Sequence, residues 1–135
     1  MAVLPPALLR VSVDGKFFRM GERKFFVKGI TYGPFAPSEG NGSFPDPRQA
    51  ARDFAQIREL GANVLRVYHV PPKWFLDLAL EQELRVLIDI PWRKDLCFLD
   101  SQRSRQEAKD AVREAVRRVR GSSRGNRRQL MYRRT

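Results

Sequence analysis

An arginine near the end of an apolar run is the most chemically committed residue in this sequence. In Gly61-Ala-Asn-Val-Leu-Arg-Val-Tyr-His-Val-Pro-Pro72, a helix-stopping glycine precedes aliphatic and β-branched residues, and a Pro-Pro pair then ends the strand. Period-two alternation puts Val64, Arg66 and Tyr68 on one face and Leu65 and Val67 on the other. The Arg66 guanidinium therefore needs a carboxylate or a polar ligand. His69, just past the strand, adds a second polar side chain at the end where a parallel α/β sheet holds its active site. Asp89 interrupts the next apolar run, Arg85-Val-Leu-Ile-Asp-Ile-Pro91, and offers the carboxylate. Two readings stand at this point: Arg66 and Asp89 form a structural ion pair across adjacent strands, with His69 an ordinary loop residue, or the three are parts of a site.

The elements that must position these residues follow from pattern. Val11-Ser-Val-Asp-Gly-Lys-Phe-Phe18 alternates around Asp14-Gly15 and predicts a hairpin, with a second turn at Met20-Gly21-Glu22. Lys24 to Tyr32 reads as one strand, and Gly33 to Asp46, with three Gly and three Pro in fourteen residues, as a long loop. Asp46-Pro47 caps a helix over 47–60, with Ala51, Phe54, Ile57 and Leu60 on its apolar stripe. A second helix over 72–83 carries Phe75, Leu78 and Ala79. After the strand at 85–91 and the loop Arg93 to Asp100, Ser101 caps a third helix reaching about Arg120, with a stripe from Ala108 to Val119. Strands alternating with helices predict a parallel sheet in the order 25–32, 63–69, 85–91, with right-handed crossovers and the helices on one side. An open doubly wound sheet or part of a barrel satisfies that pattern. No glycine-rich phosphate loop follows any strand, so no nucleotide cofactor is expected.

Charge and cysteine content narrow the function classes. Of the net +11, Arg113 to Thr135 supplies +8, from nine arginines against one glutamate, and residues 1–112 carry only +3. The basic character thus belongs to the end of the chain, and with no recognition module beside it no specific nucleic-acid partner is expected. A single cysteine, Cys97, rules out an internal disulfide and a cysteine-based metal site. The apolar N-terminus lacks a basic leading region and a cleavage site, and no run is long enough to span a membrane, so a cytoplasmic location is expected. From Gly121 apolar periodicity disappears, and residues 122–135 read as a basic disordered tail. Residues 1–8 read as an N-terminal extension. Nothing in the residues specifies an oligomeric state.

Three segments together carry a family resemblance: the Gly61–Pro72 stretch, then Trp74-Phe-Leu-Asp-Leu-Ala, then Leu84-Arg-Val-Leu-Ile-Asp-Ile-Pro91. They resemble the N-terminal part of the (β/α)8 catalytic domain of glycoside hydrolase family 2 and related clan-A glycosidases, in which a strand ending Asn-x-x-Arg-x-x-His-x-Pro is followed by a helix and a strand ending in Asp-Glu. Phe26-Val-Lys-Gly-Ile-Thr-Tyr32 is similar to the first barrel strand and Asp14-Gly15 to the hairpin before it. The resemblance covers residues 9–121 and implies an α/β fold, a partial (β/α)8 TIM barrel of about three βα units preceded by a β-hairpin. It makes Arg66 the arginine that helps hold a nucleophilic carboxylate and His69 the histidine bordering the first sugar subsite. Asp89 lies beside them, and Tyr32, Tyr68 and Trp92 at strand ends offer faces that stack on sugar rings or pack in the core or on the rim. Ile90 stands where the family often has a metal-site glutamate, so no metal is expected.

A β-glycan substrate follows from the resemblance, cleaved or transferred through a covalent glycosyl-enzyme. Retaining chemistry of this kind needs two carboxylates about 5–5.5 Å apart. In the family these are glutamates on the fourth and seventh barrel strands, beyond the matching region. The abrupt loss of pattern after Gly121 resembles a truncated or frame-shifted reading. The chain alone is therefore expected to be inactive and marginally stable, with inward residues such as Val64 and Leu87 missing their packing partners. The alternative is a non-catalytic α/β module that binds carbohydrate or protein and carries a basic interaction tail.

Overall fold

The computed structural model describes residues 9–93, 95–120 and 130–131. The chain is a mixed α/β fold that opens with a three-stranded antiparallel meander: β1 (Val11–Asp14), β2 (Phe17–Met20) and β3 (Arg23–Phe25). Two-residue loops join the strands, and Gly15 and Gly21 each take φ +60°, a conformation that a Cβ would strain. Alternation then divides the meander. Val11, Phe18, Met20 and Phe25 pack against the second sheet. The other face carries the Asp14–Arg19 ion pair and Lys24 over the Phe17 ring.

The second sheet is parallel throughout, with β4 (Gly29–Thr31), β5 (Val64–Val67), β6 (Arg85–Ile88) and β7 (Leu130–Met131) side by side in chain order. Two expectations are corrected here. Lys24 to Tyr32 is two strands in different sheets, because Asn63 pins the segment between them. Its side-chain amide donates to the Phe26 carbonyl (2.8 Å) and its side-chain oxygen accepts from the Lys28 N–H (2.8 Å). The chain is thereby turned from one sheet into the other. The second correction is β7: Leu130–Met131 lie within the segment expected to be disordered, yet they extend the sheet beside Val86 and Leu87. The expected extension 1–8 and the other residues of the 122–135 tail lie outside the described residues.

Helices α1 (Pro47–Glu59), α2 (Lys73–Glu81) and α3 (Gln102–Arg120) match the periodicity. Asp46 caps α1, its carboxylate accepting from the N–H groups of Arg48 (2.9 Å) and Gln49 (3.2 Å). Ser101 caps α3, its hydroxyl accepting from the Ser104 N–H (3.0 Å). Both α1 and α2 end in the same turn. Gly61 and Ala62 donate to Arg58 and Ile57, and Glu83 and Leu84 repeat the pattern onto Leu80 and Ala79. The residue after each cap is left-handed: Gly61 at φ +83° in one unit, Glu83 at φ +56° in the next. The buried stripe of α1 is Ala50, Phe54 and Ile57, whereas Leu60, expected to be buried, is 78% exposed because it is the C-cap, where the chain leaves the helix. In α2 the buried residues are Phe75, Leu76 and Ala79. None of the described helices is long and apolar enough to cross a membrane.

Sheet register assigns the faces. Ile30, Leu65 and Val86 align on the side that meets the helices, with Phe54, Phe75 and Val119 of α1, α2 and α3 in the same cluster. Val64, Arg85, Arg66 and Leu87 align on the other side. The meander covers that side only where the strands begin, so Val64, expected to lack cover, is 1% exposed against Val11. The end where the strands finish stays open.

Candidate functional site

At the open end, β5 and β6 place Arg66 and Asp89 on one face, because the Asp89 N–H donates to the Val67 carbonyl (2.8 Å) and so continues the strand register. The guanidinium forks onto the carboxylate: Nη2 to Oδ2 is 2.6 Å, and Nε reaches Oδ2 at 3.1 Å and Oδ1 at 3.3 Å. Hydrogen bonding to Asp89, reinforced by its charge, raises the already high pKa of Arg66. Its guanidinium also lies 5.1 Å from the centre of the Tyr68 ring. Both charged side chains remain accessible, 46% for Arg66 and 33% for Asp89, so the pair is oriented but not sealed off. His69 is exposed on the loop after β5. Trp92, half-buried in the loop after β6, donates its indole N–H to the Leu96 carbonyl (2.9 Å).

Tyr32 does not join them. It follows Thr31, the residue in register with Arg66, so alternation turns it to the helix side. There it is 7% exposed, with ring centres 4.8 Å from Phe35, 5.3 Å from Phe54 and 5.9 Å from Phe75. Its hydroxyl donates to Asp53 Oδ2 (2.6 Å), and Gln49 donates to Asp53 Oδ1 (2.7 Å). Burial, then the bond to Asp53, pushes the phenol pKa far up. The Tyr32 ring is thus core, not a stacking platform. What reaches the open face from β4 is Thr31, exposed beside Arg66, a residue that the sequence pattern alone does not single out. For Tyr32 the signal was available: Ile30 and Tyr32 share parity, and the apolar Ile30 marks the helix side.

Among the described residues, the Arg66 cluster holds one carboxylate, and that carboxylate is engaged by Arg66. The arrangement leaves a guanidinium that is already forked onto Asp89 accessible at the strand end, beside the Tyr68 ring. It does not contain the pair of carboxylates that glycosyl transfer through a covalent intermediate requires. No group of three or more His, Cys, Asp or Glu close enough to hold a metal ion occurs among the described residues.

Comparisons with known proteins agree with this arrangement of elements. A 1,3-beta-glucanosyltransferase (gel1) of Aspergillus fumigatus is 35% identical over 60 residues, 44% of this chain and 13% of that protein. Another (GAS2) from Saccharomyces cerevisiae is 34% identical over 96 residues, 58% of this chain and 17% of that protein. The chain therefore spans less than a quarter of the length of these relatives. Among solved structures, the β-glucuronidase of Bifidobacterium dentium superposes with a TM-score of 0.63 at 20% identity, over 90% of this chain and 19% of that one. The endo-1,4-beta-mannanase of Rhizomucor miehei gives 0.59 at 12% identity, over 90% and 46%. At such identities the likeness concerns the fold alone. The family model for glucanosyltransferases, glycoside hydrolase family 72, matches residues 6–90, well over half of the chain, and the chain belongs to that family.

Proposed function

We propose that residues 9–121 are the first βα units of a (β/α)8 barrel that acts on β-linked glucans, and that the open strand ends of this piece form one wall of its sugar-binding cleft. The parent reaction is hydrolysis or transglycosylation through a covalent glycosyl-enzyme, with its two glutamates supplied by later strands. Arg66 is a positioning residue for the nucleophile, held by Asp89, while His69 and Trp92 border the bound sugar. One observation carries this reading: the forked Arg66–Asp89 pair stands accessible at the C-terminal ends of parallel strands, where a barrel of this class does its chemistry. On this reading the isolated chain is inactive, because it binds one side of a substrate and holds no acid and nucleophile pair.

The test joins residues 9–120 to the remaining barrel of the gel1 relative and follows transfer between 1,3-β-glucan oligosaccharides. Arg66→Ala in the chimera is expected to lower kcat about 100-fold with a small change in KM, since it disorients a group without removing substrate contacts. Unchanged kcat sinks the assignment. The reading as a self-sufficient binding module draws support from β7 and the meander, which extend and cover the sheet. A cooperative denaturation transition of the isolated chain, together with glucan binding in the absence of turnover, would favour it.

A further inference from the structure

Arg66 is held from two directions, and only one of them is a carboxylate. Asp89 takes its Nε and Nη2, with Oδ2 at 3.1 and 2.6 Å. Tyr68 supplies the other: the guanidinium lies over its ring, 5.1 Å from the centre. Tyr68 follows Arg66 by two residues at the end of β5, the separation at which extended backbone puts side chains on one face. It is half-buried, whereas the Arg66 side chain is 46% accessible. Among the described residues, Asp89 alone accepts hydrogen bonds from the Arg66 side chain, and nothing engages its Nη1.

Asp89 alone is a loose clamp. An accessible ion pair is weakened by water and salt, and holding long side chains in one geometry costs entropy. The fork aligns the guanidinium with the carboxylate, yet the two can turn together about their own side-chain bonds. A ring packed on the guanidinium restricts that motion, because the attraction falls away when the cation leaves the face. It also uses none of the N–H donors, so both N–H groups of Nη1 and the outer one of Nη2 remain for a further acceptor. That edge suits a second carboxylate, which a guanidinium binds through two parallel bonds.

We propose that Tyr68 is a positioning residue for Arg66: its ring face holds the guanidinium against Asp89 and keeps the unused Nη edge in one orientation for an incoming carboxylate. That this carboxylate is the nucleophile of a later barrel strand rests on the glucan reading. The hold of the ring on Arg66 does not. The ring acts on the reaction through the guanidinium, not by touching substrate.

The first measurement follows exchange of the Arg66 Nε–H with water by NMR in the full chain. Tyr68→Leu and Tyr68→Met, which keep bulk but lose the ring, should each speed that exchange about threefold, and Tyr68→Phe should leave it slow. Unchanged backbone amide spectra exclude a general loosening. Exchange unaltered in the variants without a ring would overturn the hold. Exchange as fast in Tyr68→Phe as in Tyr68→Leu would place the effect in the hydroxyl and overturn the role of the ring. The second measurement uses the gel1 chimera, where Tyr68→Leu should lower kcat about threefold with little change in KM and Tyr68→Phe should recover it. A raised KM at unaltered kcat would make the ring a sugar contact and overturn the positioning role, as would unaltered kinetics where Arg66→Ala is damaging. If Arg66→Ala itself leaves kcat unmoved, the glucan reading falls, and the exchange measurement still decides whether Tyr68 holds Arg66.

Discussion

Arg66 and Arg85 lie on the same face of the same sheet, on neighbouring strands two positions apart in register, and their surroundings push them in opposite directions. At the open end Arg66 is accessible and forked onto Asp89, and the partner raises its pKa. At the covered end the meander buries Arg85 beside the Met20 sulfur, and loss of water lowers it. The difference lies in what each end of the strands is given. One receives a carboxylate and keeps its solvent; the other receives a lid. A cation near a carboxylate in water is held by a pairing that salt and solvent weaken, whereas a buried one is bound into the packing of everything that covers it.

The largest effect that would test this contrast is at Arg85. Arg85→Ala removes a side chain packed beneath the meander and should cost about 2–3 kcal/mol, read by urea denaturation. A negligible loss would mean that the meander does not rest on it. Next is Tyr32, where burial and a carboxylate partner act together. For a phenol, unlike a guanidinium, both favour the protonated form, so both raise the pKa. Tyr32→Phe keeps the ring packing and loses the bond to Asp53, which should cost about 1–2 kcal/mol. The sign of the pH dependence follows. With its folded pKa above the unfolded value of about 10, Tyr32 contributes its full stabilisation below that value, and the contribution is lost as pH rises toward the folded pKa. Thermal melts between neutral and strongly alkaline pH should show a fall that Tyr32→Phe reduces, and an identical fall in both proteins would contradict it.

A smaller effect is expected at the helix-to-strand turns of the covered end. Glu83 occupies the left-handed position that Gly61 fills one unit earlier, so Glu83→Gly should stabilise by about 0.5–1 kcal/mol, since the exposed pair with Arg58 that it sacrifices contributes little. A destabilised variant would show that the Arg58–Glu83 pair outweighs the backbone strain. The smallest effect sharpens the contrast most. Arg66→Ala in the isolated chain should leave the denaturation midpoint unmoved, although the same change is expected to be damaging in a completed barrel. A clear drop in midpoint would make Arg66 a structural residue.

Much of the arrangement was legible because its determinants are local. Capping by Asp46 and Ser101, the turns at Gly15, Gly21 and Gly61, and the apolar runs of β5 and β6 depend on residues within a few positions of one another. The pairing of Arg66 with Asp89 spans 23 residues, and it was legible because parallel register joins two strands whose ends the prolines already mark. Tyr32 departs from the site because parity along its own strand, not its aromatic character, decides which side of the sheet it faces. Leu60 departs from the apolar stripe because the helix stops at that residue.

By itself, the sequence determined the alternation of strands and helices from α1 to α3 and which face of β5 carries Arg66, consequences of side-chain alternation and of the dihedral preferences of glycine and proline. Only the tertiary structure decided where the run from Lys24 to Tyr32 breaks, which end of the sheet the meander covers, that Arg85 is buried while Arg66 is not, and that Leu130–Met131 join the sheet. The physical reason is range. Asn63 reaches across 35 residues to Lys28 and 37 to Phe26, and Met20 meets Arg85 across 65. No local pattern encodes which distant side chain will supply a backbone hydrogen bond or exclude water from a charge, because that depends on how whole elements pack.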